Sequence, residues 1–197
     1  MFQIDAKVDE IFAMLARGSA KYENNAERSV SQLEHALQCG QLAVEAGETD
    51  ETIVGALLHD IGHYLPHVEA VEPINDNLPR SSRRSHDVVG YVYLGKMGFP
   101  ESVTELVNAH VDAKRYLTAT DPTYYDQLSK GSKNSLRMQG GPFTPEQVTK
   151  FEKNPFFREA VNVRIYDDKA KVVDYNTRTL ESFKPIVQRV LAAHAWI

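Results

Sequence analysis

The sequence predicts an all-α fold for this protein of 197 residues. Apolar residues recur at the three- and four-residue spacing of amphipathic helices along most of the chain, and no segment shows a convincing strand-like alternation. Residues that begin or end helices, such as Gly47, Gly98 and Pro100, divide this pattern into segments of helical length. Because no internal repeat or long linker interrupts the pattern, we expect a single domain over residues 1–197.

The most apolar of the expected helices is the third. In chain order the helices cover about residues 5–17, 29–46, 50–64, 85–96, 101–117, a short stretch after Thr144-Pro145, 155–173, and the chain from about residue 179 onward. Gly47 ends the second helix and Gly98 ends the fourth, while Pro100 opens the fifth. The third is apolar on nearly every side from Ile53 to Leu58 and is therefore expected at the centre of the bundle. A Pro-rich connection follows the third helix, and a Lys/Ser/Gly loop follows the fifth.

Composition excludes several classes of protein. The net charge is −5 and the basic residues are scattered, which argues against a broad nucleic-acid surface. A single cysteine, Cys39, cannot form an intrachain disulfide. The N-terminus lacks the pattern of a secretory signal, and the longest apolar run, Ile53–Leu58, is far too short to span a membrane. We therefore expect a soluble, cytoplasmic protein that binds neither membranes nor nucleic acids.

Six residues with metal-binding side chains dominate the functional interpretation. They are His35, His59, Asp60, His86, His110 and Asp167. Most of them lie where the apolar periodicity predicts a helix face turned towards the core. Burying so many imidazoles and carboxylates without partners would cost several kcal/mol for each group, and one or two metal ions remove that cost. Imidazole and carboxylate without thiolate suit iron, manganese or zinc.

The fifth helix illustrates the pattern. His110 and Lys114 lie on the same stripe as Val103, Leu106 and Val107, so an imidazole and an ammonium group are expected to face the core. A lone histidine on such a face is more often a core residue than a ligand, and Cys39 on the second helix is interpreted as core packing. The complete set of histidines with the His59-Asp60 doublet favours a metal site.

The order of these residues resembles the HD-domain superfamily of helical metalloproteins, and the added His86 and His110 resemble its dinuclear members. The similarity is closest to the HD-domain di-iron oxygenases that break the carbon–phosphorus bond of 1-hydroxy-2-aminoethylphosphonates. It covers about residues 22–172, the expected metal-binding core of an HD-domain helical bundle. The motifs that carry it are Gln-Leu-Glu-His-Ala-Leu-Gln-Cys (32–39), Leu-Leu-His-Asp-Ile-Gly-His (57–63), His-Val-Asp-Ala-Lys-Arg-Tyr-Leu (110–117), Asp-Pro-Thr-Tyr-Tyr (121–125), Gln-Gly-Gly (139–141) and Arg-Ile-Tyr-Asp-Asp-Lys-Ala-Lys (164–171).

The resemblance implies a cofactor of two iron ions in a mixed-valence Fe(II)/Fe(III) state, with O2 as co-substrate. One iron would be held by His35, His59, Asp60 and Asp167. Asp60 would bridge to a second iron, which is also held by His86 and His110. The phosphonate of a small organophosphonate substrate would be bound by His63, Lys114, Ser132, Gln139 and Arg164.

The resemblance is looser before the first histidine, where the family has a catalytic tyrosine and a glutamate that receives the substrate nitrogen. Tyr22 and Glu27 match these positions, and Glu23 is an alternative to Glu27. The altered segment favours a trimethylammonium substrate, 1-hydroxy-2-(trimethylamino)ethylphosphonate, which would give phosphate and glycine betaine.

Three alternatives remain open from the sequence. The first is the same reaction on 2-amino-1-hydroxyethylphosphonate, which would give glycine and phosphate. The second is a metal-dependent HD phosphohydrolase, in which a metal activates water. The third is a non-catalytic HD module, which predicts the loss of one or more ligands, and none of the six is missing here.

Overall fold

The computed structural model describes residues 2–18, 30–65 and 85–194. Within these ranges the regular structure is entirely helical, which confirms the all-α prediction. The α-helices are α1 (Phe2–Arg17), α2 (Gln32–Glu45), α3 (Asp50–Leu58), α4 (His86–Met97), α5 (Glu101–Thr120), α6 (Tyr124–Gln127), α7 (Lys130–Met138), α8 (Pro145–Phe151), α9 (Phe157–Lys169) and α10 (Lys184–Ala193). Two 3₁₀ helices, Ile61–Tyr64 and Leu180–Phe183, follow α3 and precede α10.

Helix α3 forms the centre of the bundle, as its sequence predicts. Every residue from Thr52 to Leu58 is buried, and the helix packs against α2, α5, α9 and α10. Burying each leucine of this helix stabilises the fold by about 1.5–3 kcal/mol. Close approach to α5 depends on Gly55, because a Cβ atom at this position would lie 2.8 Å from Leu106.

The end of α3 differs from the single helix predicted through Tyr64. The α-helix ends at Leu58, and the imidazole Nδ1 of His59 donates to the carbonyl oxygen of Ala56 at 2.9 Å. Asp60 then leaves helical geometry, with φ −99° and ψ 11°, before the chain tightens into the 3₁₀ helix. The His59-Asp60 pair therefore stands at a corner beside the core rather than along a continuous helix.

Helices α4 and α5 form an antiparallel hairpin. Gly98 ends α4 with φ 90°, a conformation that glycine adopts without strain, and Pro100 immediately precedes α5. The start of α4 consequently lies beside the middle of α5. This arrangement brings His86 close to His110, as the short turn predicts.

Helices α6 and α7 occupy a segment predicted to be a loop. Both are short, and α7 depends on its cap, because the Ser129 hydroxyl accepts a hydrogen bond from the Ser132 amide at 3.1 Å. The sequence of α7 is mostly polar, with Leu136 as its buried residue, so no apolar stripe marks this helix in the sequence. Helices α6 and α7 form the side of the bundle next to Lys114.

Helix α9 ends at Lys169 rather than at the predicted Val173. Ala170 departs from helical geometry with ψ 47°, so the carbonyl group of Ala170 does not continue the helical ladder. That carbonyl accepts a hydrogen bond from His35 Nδ1 at 2.7 Å. The early end of α9 therefore contributes directly to the site.

Candidate metal centre

Asp60 lies between two groups of imidazoles. Its Oδ2 atom is 3.4 Å from His59 Nε2 and 3.8 Å from His35 Nε2. Its Oδ1 atom is 3.3 Å from His86 Nε2 and 3.7 Å from His110 Nε2. One carboxylate therefore offers an oxygen to each of two adjacent pockets, which is the arrangement of a bridging metal ligand.

The first pocket is formed by α2, the end of α3 and α9. The Nε2 atoms of His35 and His59 are 3.3 Å apart, and Asp167 Oδ1 is 3.3 Å from His35 Nε2. With Asp60 Oδ2, four donor atoms converge. Cys39 is fully buried beside them, with its Sγ 3.9 Å from His35 Nε2.

The second pocket is formed by the first residue of α4 and the middle of α5. The Nε2 atoms of His86 and His110 are 3.0 Å apart. His63, on the 3₁₀ helix, stacks on the His86 ring with centroids 4.1 Å apart, and its Nε2 is 3.8 Å from Asp60 Oδ1. The His63 side chain is 43% exposed, so it forms the open edge of this pocket.

Hydrogen bonds to backbone carbonyls fix the orientation of three imidazoles. The Nδ1 atoms donate to Ala170 from His35, to Ala56 from His59 and to Val107 from His110, at 2.7, 2.9 and 2.6 Å. A carbonyl oxygen only accepts, so Nδ1 carries a proton, and Nε2 is the nitrogen that offers a lone pair to a metal ion when the ring is neutral. Lone pairs that face each other across 3.3 Å repel unless a proton or a metal ion lies between them. The donor set therefore fits a metal ion at each pocket.

The electrostatics of the site favour positive charge at its centre. Burial lowers the pKa of His59, but Asp60, Cys39 and Asp167 together outweigh this effect and raise the pKa to about 9. Burial opposes the charge of Asp167 as well, yet Arg164 and His35 hold the pKa of Asp167 well below its usual value. Burial and the adjacent His86 keep the pKa of His110 well below its usual value, in the neutral form that binds metals.

Lys114 lies on α5 one turn beyond His110 and is 3% exposed. Its Nζ donates to the hydroxyl of Ser135 at 2.9 Å, and this hydroxyl donates to the carbonyl of Ser132 at 3.1 Å. Burial and the neighbouring Arg164 lower the pKa of Lys114 to about 8. Within the described residues, this buried ammonium group is directed towards α7 by a neutral partner rather than by a carboxylate.

Arg164 is buried on α9 and contacts Asp167. Its Nη1 donates to Asp167 Oδ2 at 2.5 Å, while Asp167 Oδ1 faces His35. The remaining contacts of the guanidinium group are with Asp168 and Tyr124.

Among the described residues, no hydrogen bond joins the other predicted substrate residues to Lys114 or Arg164. The Ser132 hydroxyl contacts Ser129 at 3.0 Å, so the serine whose side chain reaches Lys114 is Ser135. Gln139 caps the end of α7, and its Oε1 is buried without a hydrogen-bond partner in the described part of the chain. Tyr22, Glu27 and the alternative Glu23 lie outside the described residues.

Four residues near the site were not singled out from the sequence. They are Tyr124, Ser135, Asp168 and Ala170, which contributes only its carbonyl group. Asp168 is four residues after Arg164, the spacing of a helical ion pair, which is a usable signal. Nothing local in the sequence marks the carbonyl of Ala170, since its role depends on where α9 ends.

Comparison with known proteins agrees with this geometry. Residues 33–140 match the HD domain family. The chain is 40% identical over 84% of its length to a 1-hydroxy-2-(trimethylamino)ethylphosphonate dioxygenase (glycine-betaine-forming) of Leisingera caerulea, of which the match covers 81%. It is 39% identical over 84% of its length to a hydroxymethylphosphonate dioxygenase of Gimesia maris, covering 80% of that protein. An uncharacterised protein of Acanthamoeba polyphaga mimivirus is 32% identical to this chain over 83% of the chain's length, and the match covers 73% of that protein.

The chain belongs to the HD-domain family. Within that family it is a member of the HD-domain phosphonate dioxygenases, which confirms the resemblance found in the sequence. The family and the converging donor groups together identify a metal-dependent oxygenase. No helix among the described residues is long and apolar enough to cross a bilayer.

Proposed function

We propose that this protein is a two-iron oxygenase that cleaves the carbon–phosphorus bond of 1-hydroxy-2-(trimethylamino)ethylphosphonate and releases phosphate and glycine betaine. The observation that carries the proposal is the Asp60 carboxylate, whose two oxygens face two separate groups of imidazoles. Iron in the Fe(II)/Fe(III) state is part of the proposal, because imidazole and carboxylate ligands suit it. When bound, iron supplies the redox chemistry that reduces dioxygen.

The reaction balances with dioxygen as the only oxidant. The substrate loses its C1–H and C1–P bonds, and C1 gains an oxygen to become the carboxyl carbon of glycine betaine. Phosphorus gains the other oxygen and leaves as phosphate. Both atoms of dioxygen are consumed, so no external reductant is required.

The phosphonate group is proposed to bind beside the second pocket, within reach of Lys114. Lys114 supplies a buried positive charge whose present partner is a neutral hydroxyl, so a dianionic phosphonate is a stronger partner. His63 stands at the open edge of the second pocket and offers a ring nitrogen. Arg164, Gln139 and Ser132 complete the proposed set, and Ser135 joins it because its hydroxyl contacts Lys114.

The nitrogen group of the proposed substrate is inferred from the substrates named for the relatives. The trimethylated compound is named for the Leisingera caerulea protein, which favours a quaternary ammonium group here. Tyr22 as the catalytic tyrosine and Glu27, or Glu23, as the partner of the nitrogen remain predictions. The similar identity to a hydroxymethylphosphonate dioxygenase supports a second candidate, a small hydroxyphosphonate without nitrogen.

The experiment compares substrates and atmospheres in one protein preparation. Metal-free protein is loaded with Fe(II) under argon and mixed with one of three hydroxyphosphonates: the trimethylated compound, its primary amine or hydroxymethylphosphonate. Air is then admitted, and phosphate and the organic product are measured. We expect oxygen-dependent phosphate release that is fastest with the trimethylated compound and is accompanied by glycine betaine.

Each other outcome has a definite meaning. Faster release from the primary amine or from hydroxymethylphosphonate changes the substrate but keeps the reaction. Equal release from a simple phosphomonoester under argon supports the HD phosphohydrolase and contradicts the oxygenase.

A single domain over residues 1–197 and a cytoplasmic location remain predictions from the sequence.

A further inference from the structure

Asp167 is held from both sides. Its Oδ1 faces His35 Nε2 in the first pocket at 3.3 Å, and its Oδ2 accepts from Arg164 Nη1 at 2.5 Å. A carboxylate that offers one oxygen to a metal is commonly oriented through its other oxygen. The orientation of Asp167 therefore depends on what fixes Arg164.

Two residues fix Arg164 on the side away from the pocket. Asp168 receives hydrogen bonds from both Nε, at 3.1 Å, and Nη2 of the guanidinium group. The Tyr124 hydroxyl accepts from the same Nε at 2.9 Å and donates to Asp168 Oδ2. These contacts use the planar fork of the guanidinium group, so they set its orientation as well as its position.

The surroundings make this network rigid. Arg164 is 3% exposed and Tyr124 is 8% exposed, and Tyr124 packs with Leu128 and Leu136 in a small apolar cluster of its own. Lys171 is a second cation close to both carboxylates, at 3.3 Å from Asp167 and 3.8 Å from Asp168, but its side chain is 39% exposed. A half-exposed lysine is a weaker constraint than a buried guanidinium group.

The charges suggest a function for Asp168 beside Arg164 that is separate from that of Asp167. If Asp167 were the sole anion beside Arg164, the guanidinium group would neutralise that carboxylate and compete with the metal for it. Asp168 takes most of the contacts of Arg164, so Arg164 can orient Asp167 while the charge of Asp167 stays available to a cation.

We infer that Tyr124 and Asp168 are positioning residues that act through Arg164 to present Asp167 as a ligand of the first pocket. The inference rests on the two-metal centre of the proposed function. It assigns a role to Tyr124 in the Asp-Pro-Thr-Tyr-Tyr motif and to the second aspartate of the Asp167-Asp168 doublet.

The test measures metal affinity rather than turnover. Metal-free protein is titrated with Fe(II) under argon against a coloured chelator, and the binding event of the first pocket is identified as the one abolished by His35→Ala. Asp168→Asn keeps the shape of the side chain and removes its charge. Tyr124→Phe removes only the hydroxyl group. Matched controls are Asp126→Asn and Tyr125→Phe, two exposed positions on the neighbouring α6.

We expect Asp168→Asn to weaken the first binding event about 10- to 100-fold and to leave the second unchanged. Tyr124→Phe removes two hydrogen bonds of the network but no charge, so it should weaken the same event less, about 3- to 10-fold. Asp168→Glu, which restores the charge, should bind more tightly than Asp168→Asn. Both controls should match the wild-type protein.

Two results overturn the inference. One is wild-type affinity at the first pocket in Asp168→Asn or in Tyr124→Phe. The other is equal weakening of both binding events together with a lower melting temperature, which means that the network serves packing alone. If the wild-type protein binds two Fe(II) ions but releases no phosphate from any hydroxyphosphonate, the proposed reaction fails while this titration still decides the role of Tyr124 and Asp168.

Discussion

In the proposed function, some side chains of the site hold the metal ions and others hold the substrate. Asp60 belongs to the first group, since each of its oxygens faces a different pair of imidazoles. Lys114 belongs to the second, because its ammonium group contacts a neutral hydroxyl rather than a ligand carboxylate. A residue of the first kind should control metal content, whereas one of the second kind should control affinity for the phosphonate.

Replacing Lys114 by methionine tests this division. Lys114→Met keeps the length of the buried stem and removes the charge, so we expect the KM for the phosphonate to rise about 10- to 100-fold, as for the loss of a charged hydrogen bond. The number of Fe(II) ions bound should stay the same. Lys96→Ala on the exposed face of α4 is the control and should change neither quantity. Loss of iron in Lys114→Met would instead give Lys114 a structural role.

The same lysine predicts a pH dependence. Burial and Arg164 lower the pKa of Lys114 to about 8, and the protonated form is the one that attracts a phosphonate. As the pH rises from about 7 to about 9, the ammonium group loses its proton, so the phosphonate should bind more weakly. Measured KM values should rise over this interval in the wild-type protein and stay flat in Lys114→Met. A similar rise in both proteins would assign the titration to another group.

At the scale of secondary structure, the site depends on where helices end. Helix α3 ends just before His59, and α9 ends so that the carbonyl of Ala170 meets His35. The 3₁₀ helix after Asp60 packs directly on α4, because Gly62 leaves room for the backbone of His86. We therefore expect this contact to fix the position of His86 relative to Asp60.

Adding a methyl group at Gly62 should separate the pockets. A Cβ at this position would lie 1.9 Å from the His86 carbonyl oxygen and 3.0 Å from the Gly90 amide nitrogen, both of which are backbone atoms. We expect Gly62→Ala to lower the free energy of unfolding by about 1–3 kcal/mol and to weaken the second metal pocket more than the first. Urea unfolding and Fe(II) titration measure the two effects.

Gly95, on α4, provides the matched glycine control. A Cβ at Gly95 meets no atom within 4 Å, so Gly95→Ala should raise the free energy of unfolding by about 0.5–1 kcal/mol through helix propensity. Its metal binding should be unchanged. If Gly62→Ala bound both metals as tightly as the wild-type protein, the contact with α4 would not set the position of His86.

At the scale of the whole molecule, the metal centre joins segments that are far apart in the chain. Its donors come from α2, the corner after α3, the start of α4, the middle of α5 and the end of α9. The centre therefore links the helices that surround α3, and metal binding to the folded state should stabilise the whole bundle.

Removing the metal should lower the melting temperature. A free metal concentration one hundred times the Kd stabilises the folded state by about 2.7 kcal/mol for one site, and chelation removes this contribution. Melting curves with Fe(II) and with an excess of chelator measure the difference. A variant that carries both His35→Ala and His86→Ala is the control and should melt at the same temperature in both conditions. An unchanged wild-type melting temperature would contradict a structural contribution of the metal.

The sequence was sufficient for the class of the fold and for the metal-binding residue types. The apolar run Ile53–Leu58 indicated the central helix, and the stripe of α5 indicated that His110 and Lys114 face the core. Both are local properties, because residues three and four apart in the sequence lie on the same face of a helix. The short helices α6 and α7 were not predicted, because α6 is a single turn and α7 is polar, with Leu136 as its one buried residue.

By itself, then, the sequence determined an all-α HD-domain protein and supplied its imidazoles, carboxylates and buried lysine. Only the tertiary structure decided that Asp60 turns one oxygen to each pocket, that Ser135 rather than Ser132 contacts Lys114, and that Tyr124 and Asp168 hold Arg164. The physical reason is that these contacts join residues from different helices. Their distances depend on helix ends and on the packing of small residues such as Gly62, which periodicity does not encode.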